Sequence, residues 1–328
     1  MKRMLSGIKP SGQLTLGNYI GALREFVKYQ NEYEMIVFIA NLHTLTVYQD
    51  PQELSKNLKD TIALYLACGL DPQRSTIFMQ SDVMAHAQLG FILACNTYMG
   101  ELNRMTQYKD KLLKGEESMT SGFYVYPTLM AADILIYDPD FVPVGEDQKQ
   151  HVELTRDIAI RFNNRYGKTF KVPTPLIPQI GSRIMSLSDP SKKMSKSDVI
   201  DKGCIYLLDQ PELARKKIMS AVTDTLGFVR YDPIQQPGIA NLLTIHSTLS
   251  GIAIADLVKQ FEGQGYGTFK KAVADEVVKL LTDLQAKYNA ILNQHSLDKI
   301  LEEGARKAQA IANAKLKLVE IKIGLTID

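Results

Sequence analysis

The period of the apolar residues changes once along this chain, and that change constrains the fold more than any other feature. As far as Pro178, short apolar runs alternate with stretches of helical period. "RMLSGI", "MIVFIA" (Met35 to Ala40), "STIFMQS" and "DFVPVG" read as strands. Between them lie a helix starting near Gly17, one opening at Asp50-Pro51, and the helical "AHAQLGFILACNTYM", "YPTLMAADILIY" and "EDQKQHVELTRDIAIRFNNRYG". Strands separated by helices of that length build βαβ units and a parallel sheet. Beyond Pro178 the strand signal almost vanishes. "PELARKKIMSAV", "IADLVKQF", "FKKAVADEVVKLLTDLQAKYNAILNQ" and "LDKILEEGARKAQAIANAKLKLVEI" carry the 3.6-residue spacing of amphipathic helices packed as a bundle. The expectation is an α/β domain over residues 1–196 and an all-α helical domain over 197–328, with the last helix a candidate to pack back on the first domain.

Local signals sharpen parts of this outline. Asp50 is a helix N-cap followed by Pro51 at the first helical position and Glu53 three residues past the cap. Leu54, Leu58, Ile62, Tyr65 and Leu66 share one side of that helix, which should stop at Gly69 before Asp71-Pro72. The polar segment from Lys109 to Ser121 reads as a mobile loop.

Composition narrows the function classes. A chain of 328 residues with 45% apolar content suits two globular domains. A formal charge of +2 argues against a broadly nucleic-acid-coating surface while leaving room for basic patches. Cys68, Cys95 and Cys204 are isolated, so no structural metal is expected and each reads as a small buried hydrophobe. The apolar runs are far short of a membrane span, and the chain opens directly into "RMLSGIKPSG" with no signal region, which favours a cytoplasmic protein.

Several chemical motifs fail. "GKT" at Gly167 to Thr169 has Phe162 where a phosphate loop needs glycine. No GxGxxG, GxSxG, HExxH or EF-hand pattern occurs, and the five histidines are scattered. Two motifs hold. The first strand runs into "GIKPSGQLTLGNYIGAL", Gly7 to Leu23, whose glycines at 7, 12, 17 and 21 allow close backbone approach. A strand, a glycine-rich turn and a helix N-terminus together suit an anion, and Asn18 sits at the helix start to donate to it. Tight packing alone would also account for those glycines. The second motif is "KMSKS", Lys193 to Ser197, whose two lysines and flanking hydroxyls suit a triphosphate. Read alone it is equally a solvated basic linker.

Taken together, "PSGQLTLGN" after the first strand and "KMSKS" at the end of the α/β half form the signature pair of class I aminoacyl-tRNA synthetases, with "TLGN" in the place of the HIGH tetrapeptide. "YPTLMAADILIY", "VPVGEDQKQHVELTRDIAIRFN", "GSRIMSLSDPSKKMSKSD", "SAVTDT…RYD" and "GIANLL…STLSG" follow in an order and spacing that resemble the tryptophanyl branch in its bacterial form, over essentially the whole chain. The resemblance implies a Rossmann-like catalytic domain and a helical anticodon-binding domain. It implies activation of L-tryptophan by ATP with Mg²⁺, then transfer to the 3′-terminal adenosine of tRNA(Trp), by a homodimer.

By the same resemblance Lys9, Pro10, Ser11, Gly17 and Asn18 line the ATP site. Gly145, Glu146 and Asp147 hold the ribose and Ile184 the adenine edge. Lys193, Met194, Ser195, Lys196 and Ser197 bind the pyrophosphate, with Lys111 a further phosphate contact. Asp133, Tyr126, Met130, Gln148, His43, Val142, Val144 and Leu5 enclose the amino acid. Asp133 has a reading of its own. An indole N–H donates and cannot accept, so a carboxylate is its natural partner, and an acid on an otherwise apolar helix requires one. Two positions depart from the family pattern: Leu5 where Phe is common, and Asn41 where an acid is common. A tyrosyl-tRNA synthetase, whose substrate hydroxyl could also donate to Asp133, and a small-molecule nucleotidylyltransferase are the alternatives.

Overall fold

The structure, a computed structural model, describes residues 1–10, 13–113, 119–145, 148–176, 183–194, 201–294 and 296–326. β1 (Arg3–Ile8) leads into α1 (Leu16–Asn18), which continues without a break through a π turn at Tyr19–Leu23 into α2 (Arg24–Lys28). β2 (Glu34–Ile39), a 3₁₀ turn (Leu42–Thr46), α3 (Pro51–Ala67), β3 (Ser75–Met79) and α4 (Ala85–Ala94) follow. Next come α5 (Met99–Asn103), α6 (Thr106–Leu113), α7 (Ser121–Leu135), β4 (Phe141–Pro143), α8 (Lys149–Tyr166) and β5 (Thr174–Leu176). α9 (Pro211–Met219), α10 (Pro237–Ser250), α11 (Ile254–Gln260), α12 (Tyr266–Asn293) and α13 (Leu297–Ile323) make up the helical part.

The five strands form one parallel sheet in the order β3-β2-β1-β4-β5. Its register runs Arg3↔Glu34 to Ile8↔Ile39 between β1 and β2, and Met4 lies opposite Phe141 across β1 and β4. This is the doubly wound arrangement, and the strand order reverses between β1 and β4, where the carboxyl ends open a crevice. β2 shows why the sheet is buried on both faces: "EMIVFI" is apolar after its first residue, and all five of those residues are buried. β5 is a strand that the sequence spacing does not announce. Pro175 interrupts it, which only a sheet edge tolerates, and β5 is an edge.

The start of α3 is as the sequence predicts: Asp50 accepts from the N–H groups of Gln52 and Glu53 at 2.9 and 3.0 Å. Gly69, with φ +107°, ends the turn that follows. The segment from Lys109 to Ser121 is corrected. α6 runs to Leu113 and α7 begins at Ser121, so only residues 114–118 fall outside the described chain. The start of α6 is held by Gln150, whose side-chain oxygen accepts from both the N–H and the hydroxyl of Thr106 at 2.9 Å. A cap supplied from a distant helix leaves no local trace. Cys95 is a second correction. It is exposed at the end of α4, on the outward face it shares with Phe91, while Cys204 is buried and Cys68 half-buried.

Besides a smaller cluster of Ile8, Met35, Val37, Ile39, Ile62, Leu70 and Ile77, two apolar cores run through the molecule. One joins Leu5, Ile36, Phe38 and Phe78 of the sheet to α4, α7 and α8, and also to Ala305, Ala308, Ala312, Leu316 and Val319 of α13. α13 therefore covers the α/β part although it follows the helical part in sequence. It lies directly on β3: a Cβ at Gly304 would fall 1.8 Å from the carbonyl oxygen of Ile77. The other core joins Leu16, Ile20, Ala63 and Leu64 to Met194, Ile205 and the apolar faces of α9 to α12. Among the described residues no single helix is long and apolar enough to cross a membrane.

Candidate functional site

The first motif folds around Thr15. Its hydroxyl accepts from the N–H of Asn18, and the Asn18 side-chain oxygen accepts from the N–H and hydroxyl of Thr15, all at 3.0 Å. This reciprocal cap fixes the Asn18 amide, because its oxygen must face the Thr15 donors and its NH₂ must face away. Asn18 lines a cavity of about 250 Å³ that reaches Gly7 and Pro143 to Gly145 at the strand ends.

The second motif lies against the first. Residues 184–194 form a hairpin in which Met194 N–H donates to Ile184 O at 3.0 Å and Met185 pairs with Lys193. Asp189 holds its turn, accepting from Ser191 and pairing with Lys192 at 3.0 Å. Ile184 and Met194 are buried beneath Gly17; a Cβ there would sit 3.4 Å from the Met194 side chain and 3.7 Å from that of Ile184. On its other side the first motif pairs with the segment after the lysine loop, Leu16 N–H donating to Ile205 O and Leu207 N–H to Leu14 O at 2.8 Å. Two motifs more than 170 residues apart in sequence thus share one edge of the crevice. Lys193 is exposed there, as Lys9 is at the end of β1, and Pro10 is buried. Ser11, Glu146, Asp147, Ser195, Lys196 and Ser197 lie outside the described residues, as does the domain boundary expected near Ser197.

The larger cavity, of about 600 Å³, opens at the carboxyl ends of β1, β2 and β4. It gathers Leu5, Lys9, His43, Lys111, Tyr126, Met130, Asp133, Val142, Val144, Gly145 and Gln148 from five separate stretches of sequence. Gly7, Pro143, Val144 and Gly145 border both cavities. The Lys111 ammonium lies 4.5 Å from the centre of the Phe123 ring at the cavity edge. The two departures from the family pattern have plain surroundings. Leu5 is buried in the cavity wall. Asn41 donates to the Ser81 hydroxyl at 2.8 Å and accepts from its N–H at 3.1 Å, tying the end of β2 to the end of β3.

Asp133 is wholly buried at the cavity floor and accepts four hydrogen bonds. His43 Nε2 lies 2.8 Å from Oδ2, His86 Nδ1 lies 2.7 Å from Oδ1, and Gln80 Nε2 bridges both oxygens at 2.8 and 2.9 Å. Burial alone would raise the carboxyl pKa, but the hydrogen bonds and charges of His43 and His86 overcome it and hold the group at about 2. A second polar chain flanks the cavity: Tyr126 donates to Gln107 Oε1 at 2.6 Å and sits 2.6 Å from His151 Nε2. Burial raises the pKa of Tyr126, so it stays a neutral phenol. An acceptor-only carboxylate at the floor, apolar walls from Leu5, Met130, Val142 and Val144, and a polar rim suit a flat aromatic ring with one donor. Gln80, His86, Tyr137, Gln107 and His151 escaped the sequence reading. His86 and Asp133, two polar residues on otherwise apolar helices, carried the one available signal, since each requires a buried partner.

The chain matches the family described as "tRNA synthetases class I (W and Y)" over residues 1–282. It is 53% identical over 326 residues to the tryptophan--tRNA ligase of Listeria monocytogenes, covering 99% of this chain and 98% of that one. To the tryptophan--tRNA ligase of Bacillus subtilis it is 52% identical over 322 residues, covering 98% and 97%. Among solved structures, the tryptophanyl-tRNA synthetase of Campylobacter jejuni in complex with ADP and tryptophan superposes with a TM-score of 0.86 at 38% identity, covering 98% of this chain and 99% of that one. With the paired motifs in contact at the strand crossover and full-length similarity of this order, the chain belongs to the class I tRNA synthetases of the tryptophan and tyrosine group, and within it to the bacterial tryptophan--tRNA ligases.

Proposed function

We propose that this enzyme activates L-tryptophan with ATP and passes it to the terminal adenosine of tRNA(Trp), reading the amino acid at Asp133. The buried carboxylate held by three donors at the floor of an apolar cavity is the observation that carries the assignment of the site. A tyrosine-specific or nucleotidylyltransferase role finds no support among relatives that are 52–53% identical over nearly their whole length and are tryptophan--tRNA ligases.

In the first step a carboxylate oxygen of tryptophan attacks the α-phosphorus of ATP, and the bond to the pyrophosphate oxygen breaks. No protein nucleophile is required, so the chain supplies alignment and charge stabilisation. Tyr126 and Gln148 at the rim orient the α-ammonium, while Leu5, Met130, Val142 and Val144 hold the ring. Lys9, Pro10, Ser11, Gly17 and Asn18 form the nucleotide side. Gly145, Glu146 and Asp147 take the ribose, and the backbone at Ile184 takes the adenine edge, its side chain being turned into the core. Lys193 and Lys196 neutralise the departing pyrophosphate and Ser195 and Ser197 donate to its oxygens, with Lys111 a further phosphate contact, and Met194 is buried in the core. The groups that face this end are ammonium and amide donors, which fit phosphate oxygens and not a cation. Mg²⁺ would therefore ride on the nucleotide and offset its charge, as its preference for water and phosphate implies. In the second step the terminal ribose hydroxyl attacks the adenylate carbonyl and AMP leaves.

The helical part, 197–328, serves as the anticodon-binding region. Met84, Phe91, Tyr98 and Met99, between 65% and 83% exposed on and beside α4, form the face that a second copy covers in a cytoplasmic homodimer. Charging of unfractionated bacterial tRNA tests the whole reading. The purified protein should attach tryptophan in an ATP-dependent manner and leave tyrosine uncharged; charging with tyrosine in preference, or with neither, would refute it.

A further inference from the structure

The Asp133 carboxylate has two oxygens and about four lone-pair positions, and in this structure three nitrogen donors engage both oxygens, that of Gln80 shared between them. The three residues that supply them are not equivalent. Gln80 and His86 are completely buried and line neither of the two cavities described above, whereas the His43 side chain is 16% exposed and lines the larger one. Gln80 has one orientation only: its oxygen accepts from the Leu42 N–H at 3.0 Å, so its NH₂ must face Asp133.

His86 is fixed as firmly. A carboxylate cannot donate, so Nδ1 carries the proton toward Oδ1, and Nε2 is left to meet the Tyr137 hydroxyl at 2.7 Å. Both ring nitrogens are thus engaged, Nδ1 with the carboxylate and Nε2 with the phenol. The imidazole is walled by Phe38, Phe78 and Tyr137, whose ring centres lie 5.7, 6.0 and 5.4 Å away. Tyr137 is itself fully buried. A fully buried polar cluster of this kind contributes little net stability compared with a well-packed apolar core of the same volume. Its consequence is geometric, because it pins one carboxylate rotamer and fills the inner lone pairs.

We propose that His86, backed by Tyr137 and assisted by Gln80, is a specificity-determining positioning residue: it turns Asp133 so that the one acceptor position a ligand can take is the one His43 occupies at the cavity surface. The proposal rests on the reading of Asp133 as the partner of the indole N–H. It adds that discrimination for that N–H is set by side chains that never touch the substrate.

The test compares tryptophan with β-(3-benzothienyl)-L-alanine, in which sulfur replaces the ring N–H, using kcat/KM for ATP–pyrophosphate exchange. Wild type should prefer tryptophan by about 10²-fold or more, since the isostere leaves a buried acceptor unpaired. His86→Leu should lose about 10–100-fold with tryptophan and less than about 3-fold with the isostere, collapsing the ratio. His86→Asn, whose amide nitrogen stands where Nδ1 stood, should restore tryptophan to within about 5-fold of wild type. Tyr137→Phe removes one oxygen, retains the ring packing, and should lower tryptophan alone by about 3-fold. Equal losses for both substrates, or an Asn variant no better than Leu, would overturn the proposal and leave Asp133 as the indole partner. A wild type indifferent to the sulfur substitution would overturn the reading of Asp133 and the proposal with it.

Discussion

Asp133→Asn is expected to lower kcat/KM for tryptophan by about 10²-fold while the KM for ATP stays within about 2-fold of wild type, the cost of a lost hydrogen bond to a buried charged acceptor. The substitution preserves volume. It replaces one acceptor oxygen by an NH₂ in a place where Gln80, His43 and His86 all present donors. The indole N–H then meets a donor where it needs an acceptor, whereas the nucleotide side across Gly145 is untouched. Asp133→Ala should be worse for folding as well as recognition, because it orphans the fully buried donors of Gln80 and His86 at about 1–3 kcal/mol each. The pH dependence follows from the sign of the shift. With its carboxyl held at about 2, below the ordinary 3.8, Asp133 contributes stability that is fully present above about pH 4 and is lost as pH falls toward 2. Wild type and Asp133→Asn should therefore differ by a constant factor across roughly pH 6 to 9, with no acid limb from this residue. Unaltered selectivity against tyrosine and phenylalanine in Asp133→Asn would refute the role.

The second large effect is at the other end of the crevice. Lys196→Ala should slow tryptophanyl-adenylate formation by about 10²–10³-fold, the effect of removing one donor aimed at charge that develops in the transition state. Tryptophan affinity should hardly change, since neither Lys193 nor Met194, the described residues of that motif, lines the wall of the amino-acid cavity. The chain contains no tryptophan, so the ligand's own indole emission reports binding without protein background. A loss of tryptophan affinity equal to the loss of rate would contradict a role confined to pyrophosphate. Lys192 offers the internal comparison. It is paired with Asp189 in the hairpin turn, and replacing it should cost far less than replacing Lys196.

What the sequence reveals and what it conceals divide along one physical line. Features set by neighbours within a turn or two are legible: the buried strand "EMIVFI", the Asp50 cap with Pro51, and the stop near Gly69. Asp133 is legible because a carboxylate on an apolar helix requires a partner wherever the chain goes. Features set by contacts between distant segments are not. α6 depends on Gln150 for its cap, β5 is a strand only because an edge tolerates Pro175, and the π turn at Tyr19–Leu23 follows no apolar period. The shell around Asp133 is the clearest case. Gln80, His86 and Tyr137 come from three elements, and no spacing relates them until the sheet and the helices against it are assembled. The two paired motifs fall between these cases. Each alone is an ordinary glycine turn or basic linker, and their contact through Gly17, Ile184 and Met194 is a property of the fold.

The central claim is that the cavity over Asp133 selects tryptophan for activation by ATP, and amino-acid-dependent ATP–pyrophosphate exchange with each of the twenty amino acids tests it most directly. The account predicts that exchange is strongest with tryptophan and far weaker with tyrosine and phenylalanine. Preferential exchange with tyrosine, or none with any amino acid, would contradict it.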